Sequence, residues 1–146
     1  MSNIRTTTTR YIAEYEYEAA NPQGNTVQID MYDPEIKQHQ SPTELLLSAT
    51  AACSAVDVIQ ILQKKRKTIH GLQVVAEGTR REKHPKHFTD ILLTFKLSSP
   101  DTDKSELEKV VALSVDKYCS VAATIRGVAT VRHESEVVGT IEQENI

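Results

Sequence analysis

Read from the N-terminus, apolar and polar positions first alternate, then run together, then alternate again. From Tyr11 to Ala20 the order YIAEYEYEAA sets ring or aliphatic residues against polar ones, NPQGN supplies turn chemistry, and TVQIDMY resumes the alternation. Period-two patterning on both sides of an Asn, Pro and Gly cluster predicts an N-terminal hairpin. After the loop DPEIKQHQ, Ser41 is followed by Pro42 and, three residues on, by Glu44. That is a capping box with proline at the first helical position, so a helix is predicted to start there. It is expected to run to about Lys67, where KKRK sets four cations at the negative end of the helix dipole.

The middle of this helix does not read as a surface helix. Thirteen of the eighteen residues from Leu45 to Leu62 are apolar, so they cover nearly every face instead of one stripe. The pattern predicts a central helix packed on several sides. Beyond His70-Gly71, LQVVAEGTRRE and FTDILLTFKLSS flank the connection EKHPKH and predict a second hairpin. Asp101 is expected to open a helix from about Lys104 to Tyr118, with Leu107, Val110, Val111 and Val115 at helical spacing. SVAATIR then predicts a short helical turn closed by Gly127, and ATVRHESEVV a last strand. The order of elements places the chain in the α+β class, as a single domain over residues 1–146.

Composition narrows the function classes. Seventeen basic against twenty acidic residues leave a net charge of −3, without the cationic excess that phosphate backbones select, so no nucleic-acid partner is expected. MSNIRTTTTR lacks the apolar core of a secretory signal, and no charge-free run reaches the roughly 20 residues of a membrane span. The expected setting is the cytoplasm, with no membrane partner. In that reducing compartment two cysteines 66 positions apart are expected to be free, catalytic or redox-active instead of a permanent staple.

The first cysteine stands on a distinctive face. Thr50, Cys53, Asp57, Gln60 and Lys64 follow one another at steps of three and four and therefore share one side of the predicted helix. A thiol on the polar stripe of an apolar helix, one turn from a carboxylate, points to chemistry; the alternative is a small buried hydrophobe. Small residues surround both thiols: Ala51, Ala52, Ser54 and Ala55 at one, Ser120, Ala122 and Ala123 at the other. The two helices could thus come close enough for the Cα separation of about 4.4–6.8 Å that a disulfide needs. A mid-helix thiol needs a nearby cation to ionise at neutral pH. Arg10, Arg80, Arg81 and Arg126 are the candidates, and the sequence leaves the choice among them open. The histidines at 39, 70, 84, 87 and 133 have no metal-ligand spacing with either cysteine, so neither metal nor cofactor is expected. The basic cluster RREKHPKH reads as solvated turn residues at a hairpin tip.

Four segments, SPTELLL, AACSAVD, HFTDILLTF and KYCSV, together resemble the OsmC/Ohr family of hydroperoxide-reducing proteins, and most of all its YhfA-like branch. The resemblance spans roughly Ser41 to Val138. It implies an intertwined homodimer in which antiparallel sheets from both chains wrap two long central helices. It also implies a two-cysteine peroxidase: Cys53 attacks an organic hydroperoxide, becomes a sulfenic acid, and condenses with Cys119, after which a dithiol of lipoyl or thioredoxin type restores the thiols. The family's peroxidases further use an arginine from the N-terminal hairpin turn and a glutamate ten residues before the attacking cysteine. Here NPQGN holds no arginine, Thr43 stands ten before Cys53, and Glu44, nine before, falls on the opposite side of the helix. Asp57 is the carboxylate expected in the glutamate's stead. A second reading is a small-molecule binding dimer of the same fold with little or no peroxidase activity.

Overall fold

A computed structural model describes residues 2–141 and divides into two compact units, Met1–Leu46 and Leu47–Ile146. The first unit is an antiparallel three-stranded meander, β1 (Thr8–Ala13), β2 (Glu16–Ala20) and β3 (Thr26–Asp30), in the order β1-β2-β3. The predicted hairpin is β2 with β3, where Tyr17 lies opposite Ile29 and Ala20 opposite Thr26. The expected first strand is broken in two at Glu14 and Tyr15, and TTRYIA forms the additional strand. Ala13 pairs with Glu16 across a two-residue turn that contains neither Gly nor Asn. Alternation therefore runs through the turn without a signal.

At the end of β3, Asp30 is 1% exposed and densely bonded. Its Oδ2 accepts the backbone N–H groups of Gln38 at 2.9 Å and His39 at 2.8 Å, and Lys37 Nζ lies 3.1 Å from Oδ1. One carboxylate thereby holds the loop that leads into α1 (Pro42–Lys64). The capping box forms as read: Ser41 N–H donates to Glu44 Oε1 at 2.9 Å, and Glu44 N–H donates to Ser41 Oγ at 3.3 Å. The helix stops three residues before Lys67. Arg66 turns left-handed with φ 60°, Arg66 N–H reaches Gln63 O and Lys67 N–H reaches Leu62 O, which closes the C-terminus as a Schellman motif.

The second unit is built on β4 (Gly71–Arg80), β5 (Phe88–Ser98) and β6 (Thr130–Val137), in the order β4-β5-β6. The hairpin β4–β5 is antiparallel, whereas β6 runs parallel to β5, which requires a crossover. That crossover is α2 (Lys104–Leu113), a wide π-helical turn (Ser114–Tyr118) and α3 (Ser120–Ile125). Asp103, not Asp101, caps α2 by accepting Glu106 N–H at 2.8 Å; Asp101 instead accepts Thr68 N–H at 2.9 Å. The expected helix to Tyr118 is correct in extent but changes pitch at Ser114, so that its last turn is wider.

Ile91, Leu93, Phe95 and Leu97 of β5 form the centre of the core, with Leu107, Val110 and Val111 of α2 and Val115 of the π-turn. Gly78 on β4 is a close-approach position: a Cβ there would overlap the Phe88 ring and stand 2.9 Å from Leu47. Helix α1 adds a stripe at four-residue spacing, Thr50, Ser54, Val58 and Leu62, each fully buried. Within one chain α1 keeps an open side, where Val56 is 54% exposed and Ala52 is also open. By length and composition α1 is long and apolar enough to cross a membrane, but its buried stripe packs into the core of a folded unit.

Candidate functional site

The middle of α1 and the junction between the π-turn and α3 bring the two cysteines together. Cys53 is half-buried and Cys119 buried, and both are free. Ser54, the residue after Cys53, brings its Oγ to 3.3 Å from Cys119 Sγ, and Cys119 with the backbone N–H groups of Ser120 and Val121 acts on the Cys53 thiol. Burial, the largest influence, pushes the Cys53 thiol above its usual range; the Val121 N–H works the other way, the neighbouring Cys119 raises it again, and the Ser120 N–H lowers it. None of these groups is a cation.

Cys119 occupies a turn that local sequence explains. It has an extended conformation between two helical segments (φ −69°, ψ 108°), where a residue can cap the helix that follows. Its Sγ accepts Ala122 N–H at 3.3 Å, as a serine hydroxyl would at such a cap. Three residues then close a ring. Cys119 N–H donates to Ser114 O at 2.7 Å, Ser114 Oγ–H donates to Ser54 O at 2.8 Å, and Ser54 Oγ lies 3.3 Å from Cys119 Sγ. All three side chains are at most 1% exposed.

The expected polar face of α1 divides between two surroundings. Thr50 is buried, and Cys53 stands next to Ser54, whose Oγ lies 3.3 Å from Cys119 Sγ. Asp57, Gln60 and Lys64 line a cleft of about 490 Å³ with Ile61, Leu113 and Tyr118. Three of the four candidate arginines are engaged elsewhere. Arg10 bonds Glu18 through Nε at 3.0 Å and Nη2 at 2.8 Å, Arg80 Nε donates to Lys86 O at 2.7 Å, and Arg126 donates to the carbonyls of Asp116 and Val115. Arg126 thus ties the end of α3 to the π-turn just ahead of Cys119. Glu44 is held by Ser41 and lies 3.7 Å from Lys37 Nζ, in keeping with a capping role. Among the described residues no group of three or more His, Cys, Asp or Glu stands together as a metal site would.

The sequence reading missed the roles of Ser54 and Ser114. Ser54 was visible as a polar residue in an apolar stretch, but periodicity places it beside the Cys53 face and does not identify its partner. Ser114 sits among apolar residues of a helix whose change of pitch has no signature in its composition.

Comparison with known proteins agrees with this architecture. Residues 35–134 match the family model described as OsmC-like protein. Protein YhfA of Escherichia coli K12 is 40% identical over 98 residues, which are 67% of this chain and 73% of YhfA. The crystal structure of an OsmC like protein from Mycoplasma pneumoniae superposes with a TM-score of 0.82 at 20% identity, covering 94% of this chain and 99% of the other. An organic hydroperoxide resistance protein OsmC from Legionella pneumophila gives a TM-score of 0.68 at 16% identity, covering 93% and 100%.

Proposed function

This chain belongs to the OsmC-like family, and from that membership and its paired thiols we propose that it is a thiol-dependent peroxidase reducing organic hydroperoxides. The observation that carries the reading is the nearness of two cysteines 66 residues apart in the chain: Ser54, next to Cys53, lies 3.3 Å from Cys119 Sγ, and Cys119 acts on the Cys53 thiol. The name of the Legionella relative, a hydroperoxide resistance protein, points the same way.

In this reading the Cys53 thiolate attacks the terminal oxygen of ROOH. The S–O bond forms as the O–O bond breaks, and the alkoxide leaves and takes up a proton as ROH. Cys119 then attacks Sγ of the Cys53 sulfenic acid; the S–S bond forms, the S–O bond breaks, and the departing hydroxide takes the Cys119 proton as water. A dithiol of lipoyl or thioredoxin type supplies the two electrons that reopen the disulfide. Asp57, one helical turn past Cys53, serves as the polar group that orients the hydroperoxide. The working form is a homodimer in the cytoplasm, supported by the uncovered apolar side of α1 and by two free thiols suited to a reducing compartment.

The alternative is a small-molecule binding dimer. It is favoured by the upward shift of the Cys53 thiol and by the absence of a cation among the main influences on it. Consumption of cumene hydroperoxide with a dithiol reductant separates the two. The peroxidase reading expects turnover by the native protein and loss of it in Cys53→Ser, whereas equal slow consumption by both would overturn it.

A further inference from the structure

A serine hydroxyl has one proton and two acceptor lone pairs. Ser54 Oγ lies 2.9 Å from Thr50 O, one turn back on α1, and 3.3 Å from Cys119 Sγ. The single proton cannot serve both at full strength. While Cys119 is a thiol, its S–H can donate to Ser54 Oγ and the Ser54 proton rests on the Thr50 carbonyl. When Cys119 is an anion, rotation about the Ser54 Cβ–Oγ bond turns the proton from the Thr50 carbonyl onto sulfur, which also accepts the Ala122 N–H. The rest of the ring fixes the position of Ser54, since its carbonyl is held by Ser114 Oγ, and Ser114 O in turn holds Cys119 N–H. A buried polar group of this kind is retained at a cost unless it is bonded, and here it is bonded to a reacting sulfur.

We propose that Ser54 is the switchable hydrogen-bond donor that supports Cys119 as the attacking sulfur in the disulfide-closing step. The inference rests on Cys119 acting as the second thiol to react, and goes beyond it by assigning the group that supports it. The donor stabilises the anion while somewhat reducing its intrinsic nucleophilicity, so the net gain is moderate, roughly three- to tenfold in the rate of ring closure. It has no part in the first attack, because its hydroxyl faces Cys119.

The test uses a dipyridyl disulfide as oxidant and does not depend on peroxidase activity. Cys53 thiolate displaces one thiopyridone and forms a mixed disulfide; Cys119 then attacks Cys53 Sγ, closes the S–S bond and releases the second thiopyridone. The two releases are read as separate phases by stopped flow. Ser54→Ala is expected to leave the first phase unchanged and slow the second roughly three- to tenfold, and Ser54→Thr, which keeps a hydroxyl, is expected to restore most of it. Leu62→Ala, on the same buried stripe but without a polar side chain, controls for general loosening of α1 and is expected to leave the second phase as in the native protein. An unchanged second phase in Ser54→Ala, an equal loss in Ser54→Thr, or the same slowing in Leu62→Ala would overturn the proposal. Should these phases behave as expected while no hydroperoxide is consumed, the peroxidase reading falls and the role of Ser54 stands.

Discussion

Ser114 Oγ donates to the carbonyl of Ser54 at 2.8 Å, joining the first residue of the π-turn to the middle of α1 across 60 positions of sequence. Both side chains are fully buried. The bond sets where the π-turn lies along α1, and therefore where Cys119 meets Cys53. In Ser114→Ala the Ser54 carbonyl keeps its place in the helix ladder, so the expected cost is that of one net hydrogen bond, about 1 kcal/mol. Urea denaturation should show a lower midpoint with an unchanged slope; an unchanged midpoint would mean that the bond contributes nothing to folding.

The Cys53 thiol is raised chiefly by burial, with the Cys119 thiol adding to the effect. Cys119→Ala should therefore move the pH dependence of Cys53 alkylation by iodoacetamide to lower pH, leaving the burial component in place. A thiol whose folded pKa exceeds its unfolded value of about 8.5 favours the folded state fully below that value, and the contribution is lost as pH rises through the folded pKa. Alkylation profiles that coincide in the two proteins would show that Cys119 does not act on Cys53.

Asp30 makes the opposite prediction at acid pH. Burial, the largest influence, would raise its carboxyl, but the Gln38 N–H, the Lys37 ammonium and the His39 N–H together bring it down to about 2. A lowered folded pKa gives stability that is present above the unfolded value of about 3.9 and is lost as pH falls through the folded one. The native protein should thus lose stability between about pH 4 and pH 2, and Asp30→Asn should flatten that limb while lowering stability at neutral pH. Thermal melts across this range decide it: parallel acid limbs in the two proteins would assign the loss to other carboxylates.

Much of this architecture is legible in the sequence because local signals and burial agree. The capping box at Ser41, the alternation through β4 and β5, and the polar face carrying Cys53 and Asp57 all depend on neighbours within four residues. What escapes the sequence depends on partners far along the chain. The turn at Glu14-Tyr15 lacks turn residues, and the parallel pairing of β6 with β5 is decided by the crossover and not by the strand itself. The ring of Ser54, Ser114 and Cys119 likewise needs α1 and the π-turn to be docked before any of its bonds exists.

Gly78 is required by packing, since any Cβ there would meet the Phe88 ring, itself 6% exposed, on one side and Leu47 on the other. An aromatic ring packed in the core has little room to retreat. Gly78→Ala is expected to destabilise by about 1–3 kcal/mol, the range for overpacking a close-packed site. The companion variant Gly78→Ala/Phe88→Leu, which removes ring volume, should recover part of the loss. Equal loss in both would locate the cost in the backbone of β4 and not in the ring.

Helix α1 has an open side. Only one stripe of this helix is buried within its own unit, yet its sequence is apolar on nearly every face, and Val56 at 54% exposure lies beside Ala55, Ile59 and Leu72 in a groove of about 560 Å³. Continuous apolar surface on a helix is costly in water at about 25 cal/mol for each Å² left uncovered, so a second copy of the chain is the expected cover. A charge at the centre of that face should oppose association far more than it disturbs the fold, because Val56 makes little of the core. Val56→Glu is therefore expected to convert a dimer into a monomer at micromolar concentration in sedimentation velocity, with far-ultraviolet circular dichroism unchanged. Val128→Glu, an exposed apolar position on the loop between α3 and β6 at 64% exposure, is expected to remain dimeric. A native protein that sediments as a monomer, or a dimer that survives Val56→Glu, would show that this face is not where two chains meet.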